Sequence, residues 1–425
     1  MNNSNSMSLG LYISVPFCRT KCSYCNFASD VFSKSAYENY VARLLEDVAD
    51  SRQLASDLGC ALEESADSIY LGGGTPSILE AAQLLRLFAA VRNHFAITPD
   101  AEITVECAPG TLTPALIETL QQCGVNRVSL GVQSFVDQEA QSVGRLHKRT
   151  TVLQEIARLR DAGLANINID LIAGLPHQTA DSWAYSISEM IATGVPHASV
   201  YMLEVDEDSR LGRELIAGGA RYHAHFVPND DATADFYQQA REMLAAAGIV
   251  QYEISNFARA VAASDAGHSR SNESRHNLKY WTRQPYVGFG VDAHSMLVAE
   301  DQNEGRYEGE GYQAIRFATP DSLDAYMNRA PRTVTPVSGQ AAIEESLFLG
   351  LRLNRGIDIP GLQQGPRPEM ATVWEAAIRQ SVLEGLLEQQ GATLRLTARG
   401  RLLSNEVFAR FLAEEKVGTG HVNPR

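Results

Sequence analysis

The sequence has no long apolar run, few cysteines and an excess of acid over base, and each feature excludes a class of protein. No apolar run approaches the roughly 20 residues of a membrane-spanning helix, and "MNNSNSMSLG" lacks the basic and apolar parts of a secretion signal. These absences predict a cytoplasmic protein without a transmembrane segment. Only 6 of the 425 residues are cysteine, and in a reducing compartment clustered thiols indicate metal ligands or catalytic groups rather than disulfides. The net charge of -15 argues against nucleic acid as the main partner.

Half of the cysteines lie in the stretch "VPFCRTKCSYCNF", which covers residues 15–27. Cys18, Cys22 and Cys25 have the spacing C-x3-C-x2-C, so three thiolates on one short loop can converge on a small inorganic group. A structural zinc usually takes four ligands from paired cysteines, and the other three cysteines of the chain are scattered singly. A cubane iron-sulfur cluster held by three thiolates leaves one iron open to an outside ligand. Buried structural cysteines are a third alternative, which the neighbouring Arg and Lys disfavour because they promote thiolate formation.

Strand-like apolar runs alternate with helix-period segments in the first half of the chain, which at 44% hydrophobic residues can fill a large core. The predicted strands are 11–16, 68–74, 102–108, 127–133, 166–172 and 198–205. The predicted helices lie near 35–57, 79–94, 113–123, 150–162 and 180–193. Six successive βα units predict a parallel sheet with helices outside it, either doubly wound or a barrel.

Each predicted strand ends in, or is followed by, residues that do not belong in a buried strand. They are Cys18, the glycines of "GGGTP" (72–76), Glu106, Gln133, Asp170, and Glu204 with Asp206. In barrels the carboxyl ends of the strands carry the active site. The glycine run lets backbone approach a ligand, and it lacks the Lys-Ser/Thr of a phosphate-binding loop and the spacing of a dinucleotide fingerprint. The sequence therefore predicts a site at this edge of the sheet that does not bind a nucleoside triphosphate.

The motifs together resemble the radical S-adenosylmethionine (SAM) superfamily, whose members bind SAM at the open iron of such a cluster. They stand in the order and spacing of the oxygen-independent coproporphyrinogen III oxidase-like branch, most closely that of the HemW haem chaperones, over roughly residues 9–410. The motifs that carry the resemblance are "YISVPFCRTKCSYCNF", "YLGGGTPS", "ECAPGTLT", "NRVSLGVQSF", "NIDLIAGLP", "YEISNFA", "RHNLKYW" and "YVGFGVDAHS".

The resemblance implies an α/β fold, a partial (β/α)6 TIM-like radical SAM barrel with a smaller C-terminal helical and winged-helix-like domain. It implies a [4Fe–4S] cluster held by Cys18, Cys22 and Cys25. It also implies SAM-site roles for Tyr12, Tyr24, Gly73, Gly74, Thr75, Glu106, Gln133, Arg145 and Asp170. These residue types suit SAM, which needs acceptors for its ammonium group, a cation for its carboxylate, and a carboxylate or amide for its ribose hydroxyls.

The second half begins with a predicted helix near 229–247 and a strand in "GIVQYEISNFA" (248–258), followed by a polar loop in which we expect His268 to be solvated. In "RHNLKYW", His276 is the predicted axial ligand of a haem, because it stands among aromatic residues that can wall a porphyrin. The resemblance associates the same H-N-x-x-Y-W motif with haem. His294 in "GVDAHS" is the second candidate, and Cys107 is a further one.

We predict three regions: a radical SAM barrel with the following βα segment at 9–258, an insertion with the haem motif at 259–334, and a C-terminal domain at 335–415. The last region contains a helical run near 370–386, the hairpin "LLEQQGATLRLT" and a closing helix, a pattern that resembles a winged-helix module. A role as a lid or docking module is favoured there, since the acidic chain disfavours DNA binding.

Two functions from different classes fit these features. The first is a haem chaperone that binds haem, one [4Fe–4S] cluster and SAM, and transfers haem to an acceptor protein. The second is the enzyme oxygen-independent coproporphyrinogen III dehydrogenase, and a radical SAM enzyme with another substrate is a third alternative. The dehydrogenases carry a cysteine two residues after the third cluster cysteine and a long preceding extension, whereas this chain has Asn26 and Phe27 there and 17 residues before Cys18. Both differences favour the chaperone, while the acceptor protein and a possible homodimer stay open.

Overall fold

The computed structural model of the chain describes residues 8–260, 272–300, 311–359 and 371–412. These residues form two compact units. The first runs up to Tyr280 and continues from Gln284 to Pro336. The second combines Trp281–Arg283 with the chain from Val337 onward. His268 lies outside the described residues. No helix among the described residues is both long enough and apolar enough to cross a membrane.

The first unit is built on one large mixed sheet. Its strands are β1 (Leu9–Val15), β2 (Cys60–Ala61), β3 (Ser65–Gly73), β4 (Ala96–Cys107), β5 (Arg127–Gln133), β6 (Ile167–Ala173), β7 (His197–Met202), β8 (Ile249–Gln251), β9 (Asn256–Arg259), β10 (Tyr286–Phe289), β11 (His294–Ala299), β12 (Tyr312–Ala318) and β13 (Thr333–Ser338). Their order is β13-β12-β11-β10-β1-β3-β4-β5-β6-β7-β9-β8, with β2 beside β11. From β10 to β7 all neighbours in this order are parallel. The six predicted strands are confirmed as the consecutive series β1, β3, β4, β5, β6 and β7.

Helices connect these strands as the βα pattern predicts. They span Lys34–Ala49, Ser51–Leu58, Ala81–His94, Pro114–Gln122, Asp137–Ser142, Arg149–Asp161, Ala180–Thr193, Arg210–Ala217, Asp230–Ala246, Arg275–Trp281 and Leu323–Met327. The single helix predicted near 35–57 is two helices. At the break the Ser51 hydroxyl donates to the carbonyl of Val48 at 2.8 Å, a local bond of the kind that competes with helix continuation.

The two faces of the parallel strands differ in polarity. On β1, Leu11, Ile13 and Val15 are fully buried on one face, and apolar burial of this kind is the main term that stabilises the sheet. The opposite face carries Tyr12 and Ser14, and its neighbours on the adjoining strands are also polar. They include Ser68, Tyr70, Thr104, Glu106, Ser129, Asn168, Asp170, His197 and Ser199. Because polar groups are costly to bury without partners, this inner face is suited to a polar ligand.

Two predictions for the later strands need correction, and one strand beside β1 was missed. The strand predicted at 198–205 ends at Met202, so Glu204 and Asp206 lie in the following loop rather than at a strand end. The strand predicted within 248–258 is the antiparallel hairpin β8–β9, because Tyr252 donates its backbone N–H to the carbonyl of Asn256 across a tight turn. Strand β10 was not predicted, and it lies parallel to β1.

The second unit contains a small antiparallel sheet and helices. Its strands are β14 (Ile357–Asp358), β15 (Leu387–Gln390) and β16 (Thr393–Leu396), in the order β14-β16-β15. Its helices span Gly339–Gly350, Ala371–Leu383, Ala398–Leu402 and Ser404–Ala409. The predicted hairpin and the helix before it are confirmed, and the closing helix is two short helices. This combination of helices and a hairpin agrees with the winged-helix-like expectation.

Candidate cofactor site

The cysteine loop (16–33) leaves the carboxyl end of β1 and carries all three clustered cysteines as free thiols. Backbone hydrogen bonds fix its course: Cys18 donates to Asp30 at 3.0 Å, and Cys25 donates to Cys22 at 3.3 Å. The loop is also bound to the chain beyond β5, because Ser23 donates its N–H to Val143 at 3.1 Å. The three thiols are therefore presented at the edge of the sheet where the sequence places the site.

The donor chemistry of this loop is compatible with a cubane iron-sulfur cluster. Burial raises the pKa of Cys18 and of Cys25, and the charges of Arg145 and Lys21, respectively, oppose that rise. Thiolates that share one zinc ion lie about 4 Å apart, since the Zn–S bond is about 2.3 Å. Within the described residues, no group of three or more His, Cys, Asp or Glu side chains is arranged to hold one ion. Thiolates of a cubane bind separate irons, so they do not have to meet at one point.

The glycine loop (72–76) packs directly against the start of the cysteine loop. Gly74 donates its N–H to the carbonyl of Val15 at 2.8 Å, and Thr75 donates to that of Phe17 at 2.7 Å. The Thr75 hydroxyl lies 3.8 Å from the Cys18 sulfur. The backbone of the glycine loop is thus placed beside the start of the cysteine loop and near Cys18.

Two carboxylates, Glu106 on β4 and Asp170 on β6, face this edge from the inner side of the sheet. Burial raises the pKa of Glu106 to about 7, and its partner Tyr70 donates a hydroxyl hydrogen bond at 2.8 Å. Asp170 accepts hydrogen bonds from Ser129 at 3.0 Å and Asn168 at 2.7 Å. Burial raises the pKa of Asp170 as well. Two partly buried acidic groups at one edge favour a cationic ligand group.

Arg145 and Gln133 provide polar atoms that the protein itself leaves unsatisfied. Arg145 donates to the Gly131 carbonyl at 2.5 Å and interacts electrostatically with Asp170 and Cys18. Its Nε, like the buried Oε1 of Gln133, has no hydrogen-bond partner in the part of the chain that the structure describes. Gln133 also adopts a left-handed conformation with φ of 69° beside a register shift in β5. Buried unpaired groups and backbone strain concentrate at ligand sites.

Tyr24 and Tyr12, the two tyrosines predicted for the SAM site, lie beside these charged and polar residues. Tyr24 packs against Val143, Ile172 and Leu175, which places the aromatic residue of the cysteine motif against the loop after β6. Tyr12 projects from β1 beside Gly73. The structure therefore brings all nine residues predicted for SAM to one edge of the sheet, next to the cysteines.

A cavity of ≈ 360 Å³ opens beside Gly73, within the size range of small-molecule sites. Its walls include the aromatic residues Tyr12, Phe27, Tyr280 and Tyr286. His294 also lines it. The side chain of His294 is 69% exposed, and its Nε2 lies 3.7 Å from the carboxylate of Asp292. An accessible imidazole beside aromatic walls and a carboxylate is an arrangement that can ligate the iron of a flat cofactor.

His276, the predicted haem ligand, has a different environment. It is 1% exposed, its Nδ1 lies 3.0 Å from the Ser68 hydroxyl, and its Nε2 lies 2.8 Å from the Tyr280 hydroxyl. Burial lowers the pKa of His276 to about 3, so the ring is neutral at physiological pH. An iron could reach this ring only if one of the two hydrogen bonds broke and the ring became uncovered. Trp281, the predicted second wall, lies in the second unit under the guanidinium of Arg352.

Several residues of this region were not predicted from the sequence. They are Ser14, Tyr70, Tyr286 and Asp292. The apolar run "YVGFG" after "RQP" is a usable signal for β10. Its position next to β1 depends on a long-range pairing that local pattern does not contain.

Gly73 offers a direct test of whether the glycine loop holds SAM. It has φ of +99°, and a Cβ there would lie 2.9 Å from the Ser14 hydroxyl and 3.6 Å from the Tyr12 hydroxyl. We expect Gly73→Val to weaken SAM binding by roughly tenfold or more, because the added side chain would displace the loop backbone proposed to contact SAM. The measurement is equilibrium binding of labelled SAM to anaerobically reconstituted protein, with iron content unchanged.

Gly110→Val is the matched control, because Gly110 also has a positive φ, of +92°, but a Cβ there meets no atom within 4 Å. It should bind SAM normally. Wild-type SAM affinity in a folded Gly73→Val variant would show that the glycine loop is not the SAM site.

The comparisons with known proteins agree with this geometry. The Radical SAM superfamily model matches residues 12–189, and the HemN C-terminal domain model matches residues 337–403. The structure of coproporphyrinogen III oxidase (HemN) from Escherichia coli superposes with a TM-score of 0.76 at 20% identity, over 95% of this chain and 90% of that chain. The fold and the position of the cysteine loop therefore define the chain as a radical SAM protein.

Relatives that match this chain over nearly their full length identify the family to which it belongs. Heme chaperone HemW of Lactococcus lactis is 30% identical over 95% of this chain and 97% of its own length. The protein of the same name from Bacillus subtilis is 31% identical over 95% and 99%, respectively. That from Escherichia coli is 29% identical over 96% and 98%. The chain belongs to the HemW family.

Proposed function

We propose that the protein is a haem chaperone that binds haem, one [4Fe–4S] cluster and SAM, and delivers the haem to an acceptor protein. The observation that carries this proposal is an accessible histidine in an aromatic cavity next to the cysteine and glycine loops. The full-length similarity to proteins named heme chaperones supports it. The proposed setting is the cytoplasm, and a homodimer stays a prediction.

Cys18, Cys22 and Cys25 would hold the cluster, and the glycine loop would hold the methionyl end of SAM. Glu106 and Asp170 are placed to accept hydrogen bonds from the ammonium group and the ribose hydroxyls. Arg145 supplies the cation for the SAM carboxylate, and the free Oε1 of Gln133 adds an acceptor. When bound, the reduced cluster would supply SAM with an electron. The chain's own residues then bind and orient SAM and exclude water from it.

We propose His294 rather than His276 as the axial ligand of the haem. His294 is exposed at the cavity, whereas both ring nitrogens of His276 are hydrogen bonded inside the first unit. The porphyrin face would pack on the aromatic walls, which bury well against a flat apolar ring system. The carboxylate of Asp292 lies 3.7 Å from Nε2 of this imidazole and could help to orient the ring. His276 instead contacts two residues that line the cavity, Tyr12 and Tyr280.

The alternative enzyme, a coproporphyrinogen III dehydrogenase, draws support from the shared fold with the Escherichia coli enzyme. The side chain that differs is Phe27, which stands where the dehydrogenases resembled here have a cysteine. Phe27 is 62% exposed and lines the cavity beside His294. An apolar ring at this place adds a wall for a porphyrin and removes a thiol from the site. This substitution favours the chaperone.

Haem titration of the reconstituted protein tests the proposal. We expect one haem per chain with a shifted Soret band, because the cavity offers one accessible imidazole. Binding should persist when the cluster is absent, since none of the three cysteines lines the cavity. A titration that never saturates, or that matches the response of a protein without a haem site, would remove the basis of the proposal.

A further inference from the structure

Tyr70 is a residue of β3 to which the proposed function gives no role, although it contacts the site on two sides. Its hydroxyl donates to Oε1 of Glu106 at 2.8 Å, and this carboxylate is one of the proposed SAM ligands. The two side chains lie on neighbouring parallel strands, where Tyr70 is opposite Thr104 and Glu106 follows two residues later on the same face. The bond therefore fixes one carboxylate oxygen, and a backbone hydrogen bond from Gly73 also holds the carboxylate.

The glycine loop is built around this pair. Gly72 follows Tyr70 on the same face of β3, and a Cβ at position 72 would lie 2.9 Å from the Tyr70 ring and 3.0 Å from the Glu106 carboxyl carbon. Any side chain at Gly72 would have to displace one member of the pair. The absence of a side chain there makes room for the tyrosine and the carboxylate to meet beneath the loop.

The ring of Tyr70 packs in a triangle with two other rings, those of Tyr12 and His276, whose own centroids lie 6.4 Å apart. Tyr12 stacks on it with centroids 6.2 Å apart, and His276 stacks on it with centroids 5.4 Å apart, both at 27° between planes. Aromatic pairs at these separations add to the stability gained from burial. The Tyr70 ring thus packs against one ring from β1 and one ring from the motif helix (Arg275–Trp281).

The motif helix is itself tied down inside the sheet. Its first two residues, Arg275 and His276, donate their backbone N–H groups to the carboxylate of Glu102 at 3.0 and 3.1 Å. The His276 ring is held by Ser68 and Tyr280. These contacts account for the burial of His276, whose ring stacks on that of Tyr70.

We propose that Tyr70 is a positioning residue for SAM, which orients Glu106 through its hydroxyl and is supported in turn by His276. This inference rests on the proposed SAM site. It assigns the motif helix a part in SAM binding in addition to its place under the haem cavity.

The test is Tyr70→Phe, which keeps the ring packed against Tyr12 and His276 and removes only the hydroxyl. We expect the dissociation constant for SAM to rise by about tenfold, as loss of a hydrogen bond to a charged group does. Iron content should stay at the wild-type value, since the Tyr70 hydroxyl bonds to Glu106 and its ring stacks on Tyr12 and His276, and not on a cysteine.

Tyr326→Phe is the matched control. It removes another buried tyrosine hydroxyl that donates to a carboxylate, in this case that of Asp47 at 2.5 Å. It should change SAM affinity by no more than about twofold.

The pH dependence of SAM binding separates positioning from a merely structural effect. SAM affinity should decline as the pH falls through the pKa of Glu106, about 7, because the neutral acid no longer balances the ammonium charge. The Tyr70 hydrogen bond lowers that pKa, so the decline should begin at a higher pH in Tyr70→Phe. Asp170 and Arg145, the charged groups that act on Glu106, are unchanged in the variant.

Two outcomes distinguish failure of this inference from failure of the SAM site itself. If Glu106→Gln weakens SAM binding but Tyr70→Phe binds like wild type with the same pH profile, Tyr70 has no positioning role. If Glu106→Gln also binds SAM with wild-type affinity, the SAM site is not at Glu106 and both proposals fall.

Discussion

Cys22→Ala should purify without an iron-sulfur cluster and should remain without one after anaerobic reconstitution. The loop offers three thiols, and removal of one leaves an iron of the cubane without its protein ligand. We expect the broad visible absorbance and the paramagnetic signal of the reduced cluster to fall to background. Labelled SAM should then fail to bind, because its iron partner is missing.

Cys60→Ala is the matched control for this variant. Cys60 is also a buried free cysteine, but it lies on β2, outside the cysteine loop. It should retain wild-type iron and sulfide content. Equal cluster content in Cys22→Ala and Cys60→Ala would contradict the assignment of the cysteine loop.

His294→Ala should lose the Soret shift that accompanies haem binding to the wild-type protein. The imidazole at the cavity would supply the axial bond, and aromatic packing alone would leave haem bound weakly and without the spectrum of a histidine-ligated iron. We expect at least about a hundredfold loss of haem affinity, since an iron–imidazole bond contributes more than the 2.7 kcal/mol to which that factor corresponds. Cluster content and SAM binding should be unchanged. The measurement is anaerobic haem titration followed by absorbance.

Two other histidine variants complete the comparison. His225→Ala removes an exposed imidazole that does not line the cavity, and it should bind haem like the wild-type protein. His276→Ala should keep the Soret band while SAM binding weakens, because the support for Tyr70 is lost. The opposite pattern, with the band lost in a folded His276→Ala and kept in His294→Ala, would return the axial position to His276.

Much of the site could be predicted from the sequence because its parts are local. The cysteine loop and the glycine loop are each contiguous, and Glu106 stands near the carboxyl end of a strand with a clear apolar pattern. Asp170, predicted at a strand end, lies in the middle of β6. In a parallel sheet the carboxyl ends of all strands lie at the same edge, whichever side chains pack in the core. The family resemblance then supplied roles for residues such as Arg145, whose place between two helices no local pattern indicates.

The haem region could not be predicted in the same way, because it depends on contacts between distant parts of the chain. Strand β10 is short and joins the sheet beside β1, about 275 residues earlier, and only this pairing brings His294 to the cavity. The burial of His276 results from Ser68 and Glu102, whose separation in sequence from the motif helix exceeds 170 residues. The motif H-N-x-x-Y-W predicts which aromatic rings lie near each other on one helix. It does not predict which of those rings is exposed to solvent.

The most direct test of the chaperone proposal compares haem transfer and coproporphyrinogen turnover in one anaerobically reconstituted preparation. Haem-loaded protein is mixed with a haem-free acceptor haemoprotein, and a parallel sample receives coproporphyrinogen III, SAM and a reductant. We predict transfer of the haem to the acceptor and no decarboxylated product, while a coproporphyrinogen III dehydrogenase in the same assay gives product. Stoichiometric decarboxylation by this protein, with haem neither bound nor transferred, would contradict the chaperone proposal and establish the enzyme in its place.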